Sequence, residues 1–263
     1  MNTLRINDID IRHEISGQGP WLILIHALAC DLTLWDAQMP ALACRFRVLR
    51  YDIRGHGGTS APPSPYQLAQ LRDDLLGLMD TLGIVKAHLA GISLGGMIAQ
   101  HLALAAPERI DRLALISTTS GYPPEGRAAL AQRLAMVAEQ GLAPLVAPTL
   151  TRWFTPAYQQ AQPQVMSRIG QLIAATPVDG YLGCGAAIGG LDTTAQLGRL
   201  TCPTLIINAA EDVGTPPAMG RMMAERIGGS RFELIEAASH LCNIEQAERF
   251  NQLLVEHLLF SHS

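Results

Sequence analysis

The sequence predicts an α/β fold in which a mostly parallel, doubly wound sheet with helices on both faces carries an inserted helical cap. The chain has 263 residues, 48% hydrophobic and 16% charged, so it can bury a large core as one domain. Strand-like and helix-like segments alternate up to residue 120 and again after residue 196. Residues 121–196 contain only helix-like patterns. We therefore expect a core of residues 1–120 and 197–263, with residues 121–196 as a cap over the carboxyl edge of the sheet.

The first part of the chain gives the sheet pattern. Short β-branched segments flank the turn dipeptide Asn7-Asp8, which predicts an antiparallel hairpin, and the continuous apolar run 21–25 is typical of a strand buried on both faces. A helical stripe over residues 66–82 ends at Gly83, as at a helix C-cap. The predicted elements are strands 3–7, 10–16 and 21–25, helix 34–42, strand 46–51, helix 66–82, strand 86–90, a helix to about residue 106 stopped by Pro107, and strand 110–117.

The second part contains the cap and the return to the sheet. Thr215 followed by Pro216 predicts a helix with Thr215 as its N-cap and proline at the first helical position. The predicted elements are cap helices 124–140, 142–154, 158–175 and 178–191, strand 203–208, a helix from Thr215 to Ile227, strand 231–235 and a last helix over 243–259.

The segment that carries chemistry is Gly91-Ile-Ser93-Leu-Gly95, between an apolar strand and an amphipathic helix. A turn sharp enough to project a serine hydroxyl from a sheet edge leaves no room for Cβ atoms two residues to either side, and glycines supply that room. The following helix points free N–H groups at the place where an oxyanion would form. We interpret Ser93 as a nucleophile.

A serine nucleophile needs an imidazole base that a carboxylate orients. Asp212 directly follows one predicted strand and His240 follows the last, so both lie where strand ends converge. Glu211 is the alternative acid, but Asp212 has the better spacing before Thr215-Pro216 and is preferred.

The other histidines have structural interpretations. His26 is expected to brace the loop after the strand at 21–25, and His56 to belong to the glycine-rich loop 52–58. We expect His88 and His101 to be packed and hydrogen-bonded, and His13, His257 and His262 to be peripheral. No group of His, Cys and carboxylates has metal-ligand spacing, so no metal is predicted.

Composition excludes several classes of partner. The net charge is −4 and no run of Lys or Arg occurs, which argues against nucleic acid and anionic membranes and favours a small-molecule substrate. The first residues lack a basic stretch followed by an apolar one, so we predict no secretory signal and a cytoplasmic location. The five cysteines show no C-x-x-C spacing and are expected to be free thiols.

Together the motifs Gly91-Ile-Ser93-Leu-Gly95-Gly96-Met97, Asp52-x-Arg54-Gly55-His56-Gly57, Asp212 and Ser239-His240 resemble the α/β-hydrolase superfamily over nearly the whole chain. Asp31-Leu-Thr-Leu-Trp35-Asp, the segments 46–52 and 106–109, and Arg152-Trp153-Phe154-Thr-Pro156-Ala-Tyr158 are similar to 3-oxoadipate enol-lactonases of aromatic catabolism. The resemblance implies an α/β-hydrolase fold and hydrolysis of a small enol-lactone without a cofactor.

The expected oxyanion donors are the backbone N–H groups of Leu94 and of Leu28, in the loop after the strand at 21–25. Ala27 stands where many relatives have glycine, which restricts that loop beside the expected substrate pocket. Arg152, beside Trp153, is the hypothesis for a clamp on a substrate carboxylate, because guanidinium grips a carboxylate through two parallel hydrogen bonds. The alternative is a surface cap arginine with Trp153 in the core.

Four other functions use the same residues. A general carboxylesterase, or a hydrolase of carbon–carbon bonds in ring-cleavage products, would use the same triad, and a cofactor-free haloperoxidase or perhydrolase is a further alternative. The non-catalytic alternative is a ligand receptor in which the serine is vestigial. Dehalogenases and epoxide hydrolases are disfavoured because they would need a carboxylate at position 93.

Overall fold

A computed structural model describes residues 2–259, and His262 lies outside this range. Within it one sheet has eight strands in the order β1-β2-β4-β3-β5-β6-β7-β8. The strands are β1 Asn2–Ile6, β2 Ile9–Ser16, β3 Trp21–Ile25, β4 Arg47–Tyr51, β5 Ala87–Ile92, β6 Ile110–Ile116, β7 Thr204–Ala209 and β8 Arg231–Ile235. The predicted hairpin β1–β2 and the β2–β4 pair are antiparallel, and all later pairs are parallel. The predicted mostly parallel sheet is confirmed.

Helices follow the strands in the predicted alternation. The α-helices are α1 Met39–Leu42, α2 Leu68–Thr81, α3 Leu94–Ala105, α4 Pro124–Gln140, α5 Val146–Trp153, α6 Pro156–Ala161, α7 Pro163–Ala175, α8 Val178–Gly189, α9 Pro217–Arg226, α10 Cys242–Glu245 and α11 Ala247–Leu259. Short 3-10 helices span Leu32–Gln38, Pro107–Arg109, Ala143–Leu145 and Thr194–Arg199. Residues 22–25 of β3 are fully buried, as its continuous apolar run predicts for a central strand.

The segment between β6 and β7 is helical. Helix α4 packs against α8 and α5 against α7, while α8 also contacts α2 and α3 of the core. Among residues 2–259 no single helix is long and apolar enough to cross a membrane, although α7 and α8, bent by 91°, pass that test of length and composition as a pair.

Proline explains most of the differences from the predicted helices. The single helix expected over 158–175 is wrong: α6 ends before Gln162, whose φ of −129° and ψ of 58° leave the helical region ahead of Pro163. The helix expected over 34–42 is mostly 3-10, with Pro40 in the first turn of α1. The segment 142–154 starts as a 3-10 turn, and the last helix is interrupted at Gln246.

Two expectations for histidines are also wrong. His13 and His257, predicted to be peripheral, are 3% and 7% exposed, and the ring of His257 lies 3.1 Å from the carbonyl oxygen of Leu113. His88 is packed edge-on against Phe46, as predicted, but its Nδ1 has no hydrogen-bond partner, and neither has Nε2 of His101. All five cysteines are free.

Candidate active site

The turn at Ser93 joins β5 to α3 with the geometry of a nucleophile elbow. Ser93 has a φ of +55° and its N–H donates to the carbonyl of Ile116 over 2.8 Å, which fixes the turn to β6. A Cβ at position 91 would lie 2.3 Å from the carbonyl oxygen of Gly95, and one at position 95 would lie 2.2 Å from that of Ile25. Both glycines are therefore required for the sharp turn and for the close approach of α3 to the end of β3.

The carboxylate of Asp212, three residues after the end of β7, is 3% exposed and accepts hydrogen bonds on both oxygens. Oδ1 accepts the N–H groups of Gly214 and Thr215 over 2.8 and 3.0 Å, and Oδ2 accepts the Thr215 hydroxyl over 2.7 Å. Burial alone would raise the pKa of this carboxyl, but the charge and hydrogen bond of His240 and the donors of Thr215 outweigh it and hold the pKa below its ordinary value.

Thr215 is therefore not the N-cap that the sequence predicted. Helix α9 begins at Pro217 with Pro216 as its N-cap. Both donors of Thr215, its N–H and its hydroxyl, are directed to the carboxylate of Asp212, a charged acceptor that makes strong hydrogen bonds.

His240, in the loop after β8, completes a buried acid and imidazole pair. Its Nδ1 lies 2.8 Å from Oδ2 of Asp212, and because a carboxylate only accepts, Nδ1 carries the proton. In the neutral form of this ring Nε2 carries the lone pair that a base requires. The ring stacks on Trp153 of the cap at a centroid distance of 6.1 Å and an angle of 23°.

One cavity of about 270 Å³ brings most of the predicted residues together. Ser93 and His240 line it with Leu28, Arg152 and Trp153. The volume suits a small substrate. The other lining residues are Tyr122, Pro123, Glu125, Gly126, Ala129, Leu130, Arg133, Ile188, Val213, Gly214, Pro216 and Met219.

Ala27 is the predicted substrate-binding residue that does not line this cavity, and the predicted Asp212 and Leu94 do not line it either. It is fully buried, and its carbonyl accepts the N–H of Cys30 over 3.2 Å. The positive φ in this loop, +58°, falls on Ala29 and not on Ala27. An alanine at position 27 fits because its methyl group points into the core and its backbone is unstrained.

Two histidines brace the loop after β3. The ring of His26 accepts the N–H of Ile53 on Nε2 over 2.9 Å, and that of His56 accepts the N–H of Ala29 over 3.0 Å. Their Nδ1 atoms face the carbonyls of Ala27 and Arg54. Burial lowers the pKa of His26 to about 4 and, together with the charge of His26, that of His56 to about 3. Both rings are neutral supports, as their sequence context predicts.

Arg152 shares the cavity with a second arginine, Arg133 of α4, which the sequence analysis did not single out. Burial and the nearby charge of Arg133 both lower the pKa of Arg152. Within residues 2–259 neither guanidinium has a carboxylate at salt-bridge distance, and Nε of Arg133 is buried without a hydrogen bond, although its side chain bonds to Tyr181. Glu125, at the exposed rim, is the one carboxylate lining this described cavity.

Among the described residues no group of three or more His, Cys, Asp and Glu side chains is arranged to hold a metal ion.

Comparisons with known proteins agree with the fold. The model of the family described as alpha/beta hydrolase fold matches residues 20–247. The chain is 36% identical to 3-oxoadipate enol-lactonase 2 of Acinetobacter baylyi, over 95% of this chain and 93% of that protein. It is similar in structure to the enol-lactonase from Burkholderia xenovorans, with a TM-score of 0.95 at 36% identity over 98% and 100% of the two chains. A thermophilic esterase from Thermogutta terrifontis, solved with malate bound, gives a TM-score of 0.93 at 30% identity, with 98% of each chain covered.

Proposed function

The chain belongs to the α/β hydrolase fold family, and from that premise we propose that it is a serine hydrolase of small carboxylic esters or lactones, with 3-oxoadipate enol-lactone from aromatic catabolism as its substrate. The observation that carries the proposal is the Asp212–His240 pair, which opens onto the same cavity as the elbow serine, Ser93. The enol-lactonase relatives, which match nearly the whole chain, support the choice of substrate.

In the acylation step the hydroxyl oxygen of Ser93 attacks the lactone carbonyl while Nε2 of His240 takes its proton. Asp212 keeps Nδ1 protonated and stabilises the imidazolium that forms. The N–H of Leu94, at the start of α3, has no partner within its helix and, with that of Leu28, stabilises the oxyanion. The carbon–oxygen bond of the ring then breaks, and His240 returns the proton to the leaving enol oxygen.

In the deacylation step a water molecule attacks the acyl-enzyme, again with His240 as the base. The ester bond to Ser93 breaks, its oxygen regains the proton, and the free acid leaves. The released enol converts to the ketone, so no redox group or metal takes part in the balance of the reaction.

The two arginines favour a substrate with a carboxylate. Two guanidinium groups that share a cavity repel each other, and an anion bound between Arg133 and Arg152 would relieve this repulsion and supply a charged acceptor to both. Trp153 would form the apolar wall beside the lactone ring. Ala27 would act through the shape of its loop, since its own side chain faces the core.

The test is a spectrophotometric assay with enzymatically generated 3-oxoadipate enol-lactone. We expect the wild-type protein to hydrolyse the lactone rapidly. The Ser93→Ala variant should lose turnover, because removal of a nucleophilic serine typically lowers kcat by about 10⁶-fold. Thermal unfolding should show that the variant is folded. Substantial hydrolysis by folded Ser93→Ala would contradict the role of Ser93, and a wild-type protein inactive on the lactone would contradict the substrate.

A general carboxylesterase is the second candidate, because the structurally similar T. terrifontis protein is an esterase. The two are distinguished by kcat/KM for the enol-lactone relative to neutral p-nitrophenyl esters. A preference for the neutral esters would favour the second candidate.

A further inference from the structure

The cap segment after α5 is bound to the loop that carries His240. The hydroxyl of Ser239 donates to the carbonyl of Arg152 over 2.9 Å, and the N–H of Leu241 donates to that of Trp153 over 3.2 Å. His240 is thus flanked on both sides by residues bonded to the cap, and its ring stacks on Trp153. This part of the cap is a fixed support of the loop.

A buried carboxylate, Glu245 at the end of α10, joins the same two segments. Its Oε1 accepts the N–H and the hydroxyl of Thr155 over 2.8 and 2.6 Å, and its Oε2 accepts the N–H of Ser239 over 2.6 Å. Glu245 is 8% exposed, and no cation among the described residues lies at salt-bridge distance from it. Its charge is therefore stabilised by short hydrogen bonds from these two residues, in a place where an unpaired carboxylate would be strongly unfavourable.

Thr155 makes the bridge part of the cap as well. Its hydroxyl oxygen accepts the N–H of Tyr158 and is the N-cap of α6, while its hydrogen is donated to Glu245. The start of α6 and the peptide group before Ser239 consequently share the carboxylate of Glu245 as their acceptor.

We infer that Glu245 is a positioning residue for the base: its carboxylate fixes the peptide between Ala238 and Ser239, one residue before His240, to Thr155 of the cap, and so sets the position of the His240 imidazole relative to Ser93. This inference rests on the proposed function, because it assigns Glu245 to the reaction of Ser93 and His240. It predicts an effect on the chemical step, since Glu245 does not line the substrate cavity.

Glu245→Gln tests the inference at nearly constant volume. If the amide oxygen keeps the bonds to Thr155, the amide NH₂ faces the N–H of Ser239, where two donors meet and the loop must shift. A misplacement of about 1 Å lowers rates by up to about 100-fold. We expect kcat for a small ester to fall about 10- to 100-fold and KM to stay within about twofold. The matched control is Glu248→Gln, an exposed glutamate three residues further along the chain in the first turn of α11.

Thr155→Val is the second variant, since it removes the hydroxyl donor and leaves the backbone N–H. We expect kcat to fall less than in Glu245→Gln. In the double variant the fold-decrease in kcat should be well below the product of the two single fold-decreases, because both changes remove the same bridge. A folded Glu245→Gln protein with kcat like that of Glu248→Gln would overturn the inference. If Glu245→Gln does not fold, Thr155→Val decides: a lowered kcat at unchanged KM supports the inference, and an unchanged kcat overturns it.

The same measurements separate this inference from the proposed function. Wild-type activity that disappears in Ser93→Ala, with Glu245→Gln unaffected, overturns the positioning role alone. A wild-type protein that hydrolyses neither esters nor lactones overturns both.

Discussion

Replacing Asp212 with asparagine would keep the shape of the side chain and change one acceptor into a donor. The carboxylate accepts four hydrogen bonds, from two backbone N–H groups, the Thr215 hydroxyl and Nδ1 of His240. The amide oxygen can keep both backbone bonds, and the Thr215 hydroxyl can rotate to accept from the NH₂ group. The bond to His240 survives only if Nδ1 gives up its proton and becomes the acceptor.

The expected losses of stability and of kcat follow from these four hydrogen bonds. Three of the four bonds are retained in neutral form, so the free energy of unfolding should fall by about 1.5–3 kcal/mol, as for the loss of a charged hydrogen-bond partner. In the variant, the fourth bond, from the amide NH₂ to Nδ1, holds the imidazole of His240 in the tautomer with its proton on Nε2. In that tautomer Nε2 cannot accept the proton of Ser93. In a serine protease the equivalent change lowers kcat about 10⁴-fold, which corresponds to about 5.4 kcal/mol of lost transition-state stabilisation.

The assay is hydrolysis of the enol-lactone and of a p-nitrophenyl ester by wild type, Asp212→Asn and the adjacent control Glu211→Gln, with urea unfolding of each protein. We expect Asp212→Asn to be folded and about 10⁴-fold slower on both substrates. Glu211→Gln should match wild type, because the exposed Glu211 contributes its backbone carbonyl to this region. A folded Asp212→Asn protein within about tenfold of wild type would refute the tautomer argument, and a large effect of Glu211→Gln would make that residue the acid.

Three further predictions concern the cavity, the elbow and the buried histidines. Arg152→Ala and Arg133→Ala should each raise KM for an anionic ester about 10- to 100-fold through loss of charged hydrogen bonds, while KM for a neutral ester of the same size stays unchanged; equal effects on both esters would remove the carboxylate clamp. Gly95→Ala places a methyl group 2.2 Å from the Ile25 carbonyl oxygen, so we expect a loss of about 3 kcal/mol or more in urea unfolding. The control is Gly141→Ala, at a φ of +70° in open space, where about 1–2 kcal/mol is expected, and similar losses would contradict the packing argument. His26 and His56 have folded-state pKa values of about 4 and about 3, below the unfolded value, so the unfolded chain binds more protons below about pH 6.5 and stability is lost as the pH falls through that value. The free energy of unfolding should then fall by up to about 1.4 kcal/mol per pH unit for each histidine towards pH 4, and a flat profile between about pH 7 and pH 5 would contradict their neutral, buried state.

The features predictable from sequence are those fixed by near neighbours or by strand order. The clash that requires glycine at 91 and 95 involves atoms within the turn or in the adjacent strand end, so the motif itself indicates the geometry. Asp212 and His240 each follow a strand of a parallel sheet, and the carboxyl ends of such strands lie at one edge. Their hydrogen bond is consistent with the sheet topology that the alternating pattern predicts.

The residues that sequence reasoning missed depend on packing between distant segments. Arg133 lies on an exposed-looking stretch of α4 and reaches the cavity because α4 packs on α8. In the sequence Glu245 is one of several acidic residues near the last helix. Its inferred role depends on contact with Thr155, which is far away in sequence. Thr215 has a local N-cap pattern, yet the nearby buried carboxylate determines its contacts. No local period or spacing carries this information.

Backbone and side chains of the cap segment 152–155 have separate consequences for specificity and catalysis. The carbonyl groups of Arg152 and Trp153 hold the loop of His240, and any residue at these positions would provide them. The guanidinium of Arg152 faces the cavity, so a change there can alter which acyl group is accepted while the base stays in place. The ring of Trp153 both lines the cavity and stacks on His240, so a change there must affect binding and the chemical step together. Of positions 152 and 153, position 152 is therefore the one at which we expect substrate preference to diverge while the loop of His240 stays in place.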